Sequence, residues 1–500
     1  MNKVIGVVVW ACMVLLCASC TGVSAQQQAV VESEDERALN LNALALMQTP
    51  PVERSGRNMW AGLMTLAEPN LTPEQRQTWA DDYTAQFNHW YDFTYVEWYL
   101  KNAGALRFVS AEKASPEPVP PPLNKHKSPI IRVNPGNNNN ALCTSKGIAD
   151  CLSIVRQQPH ATMQALAPYA DVLEHIAELS KYDHYHMPLR RAINTPIPPL
   201  QYLRLSYSAH ALTHVNGHSN QALMGLCRDA NTARVLIRDG NDDLLVMMVG
   251  VSMLRNNLHV AAQIIAELPL EVSLPPSCDA AFAPLTAEDI NLSLCSAMRG
   301  EFAVIHNHIE LEKKSLIDHL MLPKNEHVSD WDNVLFAAAR SKAAVCYPQI
   351  QATLLRDEKF VILPTAKPTW PQQCSNRILK NQDNAIAYGM ACFMAQGISG
   401  LDPADYVHRM QDAAAQLQMM QVLLWLRQQP HLPQPITSDY LQTAVPAGVY
   451  SSAARPLTVS EDGSELKIPA YEKRPRDPCA CVRLPLPLAL HYGGDNQITN

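Results

Sequence analysis

From Leu142 to about Gln429 the chain is built from one kind of segment: apolar residues at three- and four-residue spacing, over helical lengths, cut apart by proline and glycine. The spacing predicts helices over Ser145–Gln157, Ala161–Tyr182, Leu200–Val215, Asn220–Ile237, Asp242–Leu268, Ala287–Leu320, Asp330–Leu355, Asn376–Gln396 and Pro403–Arg427. Ser145, Thr286 with Asp289, and Asp402-Pro403 mark starts. Pro196 to Pro199, Asp239-Gly240-Asn241, Leu274-Pro275-Pro276 and Pro364 to Pro371 mark breaks. Leu244 to Leu254 is very apolar, at 11 residues. It falls short of the ~20 residues a membrane-spanning helix needs, so it reads as a central buried helix. No fixed-period repeat is present, which argues against a regular solenoid.

Before this region, Thr72-Pro73-Glu74-Gln75 has the form of a helix start: a capping Thr, Pro in the first turn and Gln at the third position. The helix it opens carries Trp79, Tyr83, Phe87 and Trp90 on one face, with Tyr95, Trp98 and Tyr99 following. Core packing is the expected role of such a face; a carbohydrate- or peptide-binding platform is the alternative. Residues 113–141 read as a linker, from the prolines of Pro116–Pro122 and the run Asn137–Asn140, or as a strap across one larger domain. After Gln429, Asp462-Gly463 lies between the alternating segments Leu457/Val459 and Leu466/Ile468, which predicts a β-hairpin. A Pro-rich tail carrying Cys479-Ala480-Cys481 follows, expected to pack back on the body. The predicted fold is all-α, an irregular helical array with a small C-terminal β-hairpin and a Pro-rich tail. Its expected segments are 1–25 (leader), 32–112, 113–141, 142–429 and 430–500.

The first 25 residues have the order of a secretory signal peptide: Lys3, an apolar run from Val4 to Ala18, then small residues ending Val23-Ser24-Ala25. The apolar run is too short for a bilayer-spanning helix. Leu16-Cys17-Ala18-Ser19-Cys20 is similar to a bacterial lipobox, in which Cys20 would carry lipid, but Cys17 stands where an aliphatic residue belongs. Cleavage after Ala25 is therefore the preferred expectation, placing the protein in the periplasm or cell envelope. Membrane association is expected only if Cys20 is lipidated.

Of 13 cysteines, ten lie beyond Ala25. An even number in an exported chain predicts disulfides, the simplest pairs being Cys143–Cys151 and Cys278–Cys295, with free buried thiols as the alternative. None of the ten has C-x-x-C spacing, and C-A-C is too tight for a zinc knuckle. The net charge of −7 argues against a nucleic-acid partner, because phosphate binding needs a basic face.

Candidate chemistry is sparse. His184 and His186 precede His210, His214 and His218, and His210 and His214 would share one helical face, a spacing able to hold a metal. No H-E-x-x-H is present to supply a base, and Gly217 should end the helix before His218. Glu301, His306, His308 and Glu310 form a second group, more in keeping with a solvated helical face. Gly217-His218-Ser219-Asn220-Gln221 is similar to the G-x-S-x-G nucleophile elbow, but Gln221 replaces the last Gly and a helix precedes the serine, so the elbow is discarded. No Gly-rich phosphate loop occurs.

Several runs carry a resemblance: Tyr182-Asp183-His184 through Pro198-Pro199-Leu200-Gln201, His210-Ala211-Leu212, Leu226-Cys227-Arg228-Asp229 and Val249-Gly250-Val251. Over about residues 142–300 the chain resembles a group of exported helical proteins of xanthomonad-type gammaproteobacteria. The resemblance implies export and helical structure, and brings no activity or catalytic residue. The expected function is that of a non-catalytic exported binding or scaffold protein, without cofactor, whose partner is another protein or an envelope component. The alternatives are a metal-dependent or hydrolase-type enzyme using His184, His186, His210 and His214, and a lipid-anchored membrane-surface protein.

Overall fold

The computed structural model describes residues 34–51, 53–68, 71–108, 116–122, 141–143, 148–239, 243–320, 328–362, 403–433, 435–472 and 479–486. Residues 1–25 with Cys20, the helix expected at Asn376–Gln396, Cys374 and Cys392 lie outside them. Contacts divide the chain at Leu39: Met1–Leu39, described only for the start of helix α1 (Glu34–Met47), and Asn40–Asn500, which holds every other element.

Helix α2 (Met59–Met64) starts on Asn58, whose side chain accepts from Trp60 N. Helix α3 (Pro73–Trp90) opens with the expected capping box: Thr72 N donates to Gln75 Oε1 at 2.8 Å, and Gln75 N donates to Thr72 Oγ1 at 3.3 Å. A π-helical turn, Tyr91–Tyr95, leads into α4 (Val96–Phe108). Tyr83, Phe87 and Trp90 are buried, and Trp79 stacks on Tyr83 with centroids 5.3 Å apart, so the aromatic face is core. Tyr83 Oη donates to the Pro121 carbonyl at 3.2 Å, laying the proline run against α3 as a strap does. Trp60 and Phe87 belong to the same hydrophobic cluster as Met253 and Leu423, so the segments on both sides of 113–141 share one core.

The array continues through α5 (Cys151–Gln157), α6 (Pro159–Leu166), α7 (Ala170–Glu178), α8 (Leu205–Val215), α9 (Ser219–Asp239) and α10 (Leu244–Glu267). Then come α11 (Ser277–Phe282), α12 (Ala287–Leu320), α13 (Val328–Ala343), α14 (Pro348–Leu355), α15 (Pro403–Arg427) and α16 (Ser438–Ala444). The single helix expected over Ala161–Tyr182 is broken by a 3-10 turn at Ala167–Tyr169, where Pro168 has no N–H to continue the ladder. The one expected over Asp330–Leu355 is likewise interrupted, and Pro348 restarts the chain as α14.

Helix α10 is the central element. Asp243 caps it, accepting from Val246 N at 3.1 Å. Its most apolar 18-residue window is 67% buried within the fold, as suits a core helix. Gly250 sets its approach to α9: a Cβ there would lie 2.9 Å from Leu236 Cβ and 3.0 Å from the Ala233 carbonyl. Arg427, at the end of α15, caps the other end of α10, donating to the carbonyls of Ile265 at 3.1 Å, Leu268 at 3.1 Å and Pro269 at 2.7 Å. The Ile265 carbonyl also accepts from Leu268 N at 3.3 Å and the Pro269 carbonyl from Val272 N at 3.2 Å, and the guanidinium beside them opposes the negative end of the helix dipole.

The predicted hairpin forms: β1 (Thr458–Val459) pairs antiparallel with β2 (Glu465–Pro469), turning at Gly463 with φ +73°. A third strand, β3 (Cys481–Pro485), unexpected from the sequence, pairs with β2 in antiparallel register, Ile468 opposite Val482. Leu466, Ile468, Val482 and Leu484 are buried and join the main core. The tail is further held by Arg455, 1% exposed, which donates to Asp412 Oδ1 at 3.0 Å and to Asp357 Oδ2 at 2.7 Å and lies 4.2 Å from the centre of the Tyr471 ring.

Four disulfides occur among the described residues: Cys143–Cys151, Cys227–Cys278, Cys295–Cys346 and Cys479–Cys481. The local pair Cys143–Cys151 is as expected. The expected Cys278–Cys295 pair is not. Packing of α11 on α9 sets Cys278 beside Cys227, with Cα atoms 4.9 Å apart, and Cys295, two turns into α12, meets Cys346 at 4.8 Å. Rigid helices override nearness in sequence, because a disulfide needs its two Cα atoms within about 4.4–6.8 Å.

Candidate functional site

One face of α10 departs from its apolar character. Met248, Val251, Ser252, Arg255, Asn256 and His259 follow three- and four-residue spacing and so form a single stripe. The stripe lines a cavity of about 420 Å³, closed by Arg409 and Gln416 of α15, by Ile148 and Ala149, by Glu472 after β2, and by Cys481, Val482 and Arg483 of β3. That volume is in the range of small-molecule sites.

Three arginines and one glutamate, Glu472, are among the lining residues, and two of the arginines meet that glutamate. Arg255 Nη1 lies 2.9 Å from Glu472 Oε2, and Arg409 Nε lies 3.2 Å from Glu472 Oε1, so the glutamate holds both arginines by separate oxygens. Gln416 Nε2 donates to the Arg255 carbonyl at 3.2 Å, joining α15 to α10 behind the arginine. Arg483 leans toward Glu465, 3.9 Å away on the neighbouring strand. The lining therefore keeps an excess of positive charge. His259 lies buried among these groups. Burial pushes its imidazole down to about 4, against an opposing pull from main-chain hydrogen bonds with Arg483 and Ala149, so it is neutral at neutral pH. The lining residue Cys481 is bonded to Cys479 across Ala480, which has φ +48° and whose carbonyl accepts from Ala470 N at 2.8 Å. Guanidinium groups only donate, in a planar fork that matches carboxylate and phosphate oxygens. With Met248, Val251 and Val482 supplying an apolar wall, the arrangement suits an anion with a small apolar body.

The histidines expected to gather around a metal do not do so. His184 and His186 act through their backbone: Met59 N donates to the His184 carbonyl at 2.8 Å, and Asn58 exchanges hydrogen bonds with the main chain of His186 at 2.7 and 2.9 Å. His210 Nε2 is 2.8 Å from Asp229 Oδ2 on α9. Burial would raise the Asp229 carboxyl, but His210 and Arg228 outweigh it and hold it below its usual range. His214 turns to different neighbours, with Nδ1 2.9 Å from Ser219 Oγ and Nε2 2.9 Å from Glu267 Oε2. Among the described residues no three His, Cys, Asp or Glu side chains are grouped to hold a metal. His184, His186, His210 and His214 are therefore not brought into one such group among the described residues. Helical spacing did bring His210 and His214 to one side of α8, but each is taken up by a carboxylate on a different helix. In the second group, His306 stacks on Phe302 with centroids 5.8 Å apart, and His308 lies 3.6 Å from Glu312, so these side chains pack within and beside α12.

No protein-family model matches the chain, and no curated protein and no solved structure matches it.

Sequence reading missed the arginine-lined cavity. Its residues come from positions 148 to 483, and only pairing of β3 and packing of α15 on α10 unite them. One local signal existed: the polar stripe Ser252, Arg255, Asn256 and His259 inside the apolar helix α10.

Proposed function

We propose that this chain is an exported, disulfide-stapled binding protein of the periplasm or cell envelope, and that it takes a small organic or inorganic anion between α10, α15 and β3. The convergence of Arg255, Arg409 and Arg483 on a cavity of about 420 Å³ with a single lining carboxylate carries this reading. Export is supported by the leader-like first 25 residues and by disulfides that persist in oxidising compartments. The partner is then a solute of the envelope rather than a nucleic acid, consistent with the net charge of −7. Lipidation at Cys20 would tether the same binding body to a membrane without altering the cavity.

The test is thermal unfolding and calorimetry with phosphate, sulfate, short dicarboxylates and aliphatic monocarboxylates. A ligand present at 100 times its Kd stabilises the fold by about 2.7 kcal/mol. At least one anion should raise the Tm in this way, and Arg255→Ala and Arg483→Ala should each weaken its binding at least tenfold. Absence of stabilisation by every anion, with the variants indistinguishable from the parent, would refute the reading.

A further inference from the structure

The turn between α8 and α9 holds a second set of groups, remote from the cavity. The α10 stripe that lines the cavity ends at His259, about two turns before Glu267. His214 lies buried in the last turn of α8. Gly217 N donates to the His214 carbonyl at 2.8 Å, and His218 N to that of Thr213 at 3.0 Å. Gly217 takes φ +88°, and α9 begins at Ser219. This tight reversal folds Ser219 back over the preceding helix, putting its Oγ 2.9 Å from His214 Nδ1.

The other imidazole nitrogen is held by Glu267, whose Oε2 lies 2.9 Å from His214 Nε2 and 2.6 Å from Arg156 Nη2. Burial pushes the Glu267 carboxyl up, but hydrogen bonds from His214 and Arg156 outweigh it and keep the group below the usual carboxylate range. An ionised carboxylate only accepts, so Nε2 carries the ring proton. In the neutral imidazole, Nδ1 then faces the serine hydroxyl with its lone pair. This is the arrangement of an activated serine: nucleophile, base, and a carboxylate orienting the base. The two ring nitrogens are exchanged relative to the common serine–histidine–aspartate form, which leaves the chemistry intact because either nitrogen is basic once the other is protonated.

Two further observations bear on Ser219. His218, whose carbonyl accepts from Ala222 N at 3.0 Å, stands at the cap of α9, so Ser219 is its first helical residue and its hydroxyl bonds the imidazole. The approach is also open. A Cβ on Gly217 would meet nothing within 4 Å, and Asn216, Gly217, His218 and Asn220 are exposed.

We infer that Ser219, His214 and Glu267 form a nucleophilic centre able to hydrolyse small carboxylic esters. Ser219 Oγ attacks the acyl carbon while its proton passes to His214 Nδ1. The bond to the leaving alcohol breaks, and the alkoxide takes that proton. Water then attacks the acyl-serine, giving its proton to Nδ1. As the acyl–Oγ bond breaks, the proton returns to Ser219 and a carboxylic acid leaves. Water and ester are the only reactants. Glu267 is a positioning residue, touching the imidazole and not the ester.

The test treats the full chain with a fluorophosphonate probe and with p-nitrophenyl acetate. The expected result is one phosphonyl adduct, mapped by peptide mass spectrometry to Ser219 and lost in Ser219→Ala. His214→Gln should slow labelling and ester hydrolysis by about 10²-fold or more, the scale of general base catalysis. Because His214 is buried, Ser219→Cys provides an arm that leaves the imidazole in place: its thiol should alkylate with iodoacetamide faster than in the Ser219→Cys/His214→Gln double variant. For Glu267, imidazole 15N shifts should report a protonated Nε2 and a bare Nδ1 in the parent and a changed tautomer in Glu267→Gln. No adduct at Ser219, or labelling undiminished in a folded His214→Gln variant, overturns the proposal. Anion binding at the arginine-lined cavity would be untouched by either result.

Discussion

His259 is 8% exposed on a helix that also presents Arg255 to the same cavity. Its imidazole, pushed down to about 4 by burial, stays neutral in the fold under conditions where the unfolded chain, near 6.5, already takes up a proton. Below pH 6.5 the unfolded state therefore binds more protons than the native state, and stability falls as pH drops from 6.5 toward 4. A gap of this size corresponds to about 3 kcal/mol when fully expressed. Urea denaturation at pH 7 and pH 4.5 should show the loss, and His259→Gln, which cannot be protonated, should flatten it. An unchanged acid slope in that variant would assign the pH dependence to other groups. Neighbouring residues explain why His259 could not be read from the sequence. Its burial comes from β3 and the turn at Ile148–Asp150, both remote along the chain.

Among elements, those set by local chemistry were legible. Thr72 and Gln75 satisfy each other's backbone within four residues, and the hairpin turns at Asp462-Gly463 as its residues require. Helices α12 and α15 have the bounds that their periodicity predicts. Strand β3 was not legible. Its partner β2 lies beyond a long connection, and Cys481–Pro485 by itself resembles any proline-flanked tail. The α9–α10 crossing rests on a residue whose meaning appears only in the pair. Gly250→Ala would gain about 1 kcal/mol in helix propensity, but its Cβ would press on Leu236 and on the fixed Ala233 carbonyl. Overpacking of this kind costs about 1–3 kcal/mol, so a net loss of stability is expected by chemical denaturation, with helix content retained. A gain in the unfolding midpoint would show that the two helices can move apart without cost.

Across the whole molecule, two disulfides of 51-residue separation tie segments far apart in sequence, and one of 8 residues closes a local loop. On chain-entropy grounds each long loop contributes about 4 kcal/mol and the short one about 2.5 kcal/mol. Folded proteins are typically stable by only about 5–15 kcal/mol. Removing Cys227–Cys278 as the double variant Cys227→Ser/Cys278→Ser should therefore lower the urea midpoint more than removing Cys143–Cys151 in the same way. The reverse order would mean that native-state packing, and not loop closure, sets their contributions.

The sequence by itself determined the helical class, the hairpin, the capping of α3 and the buried character of α10. Each follows from interactions among residues a few positions apart, where backbone geometry leaves few choices. The tertiary structure alone decided which cysteines met across 51 residues, where the histidines turned, and that arginines from α10, α15 and β3 would share one cavity. Those outcomes depend on how rigid elements pack, and the free energy of packing belongs to no single segment.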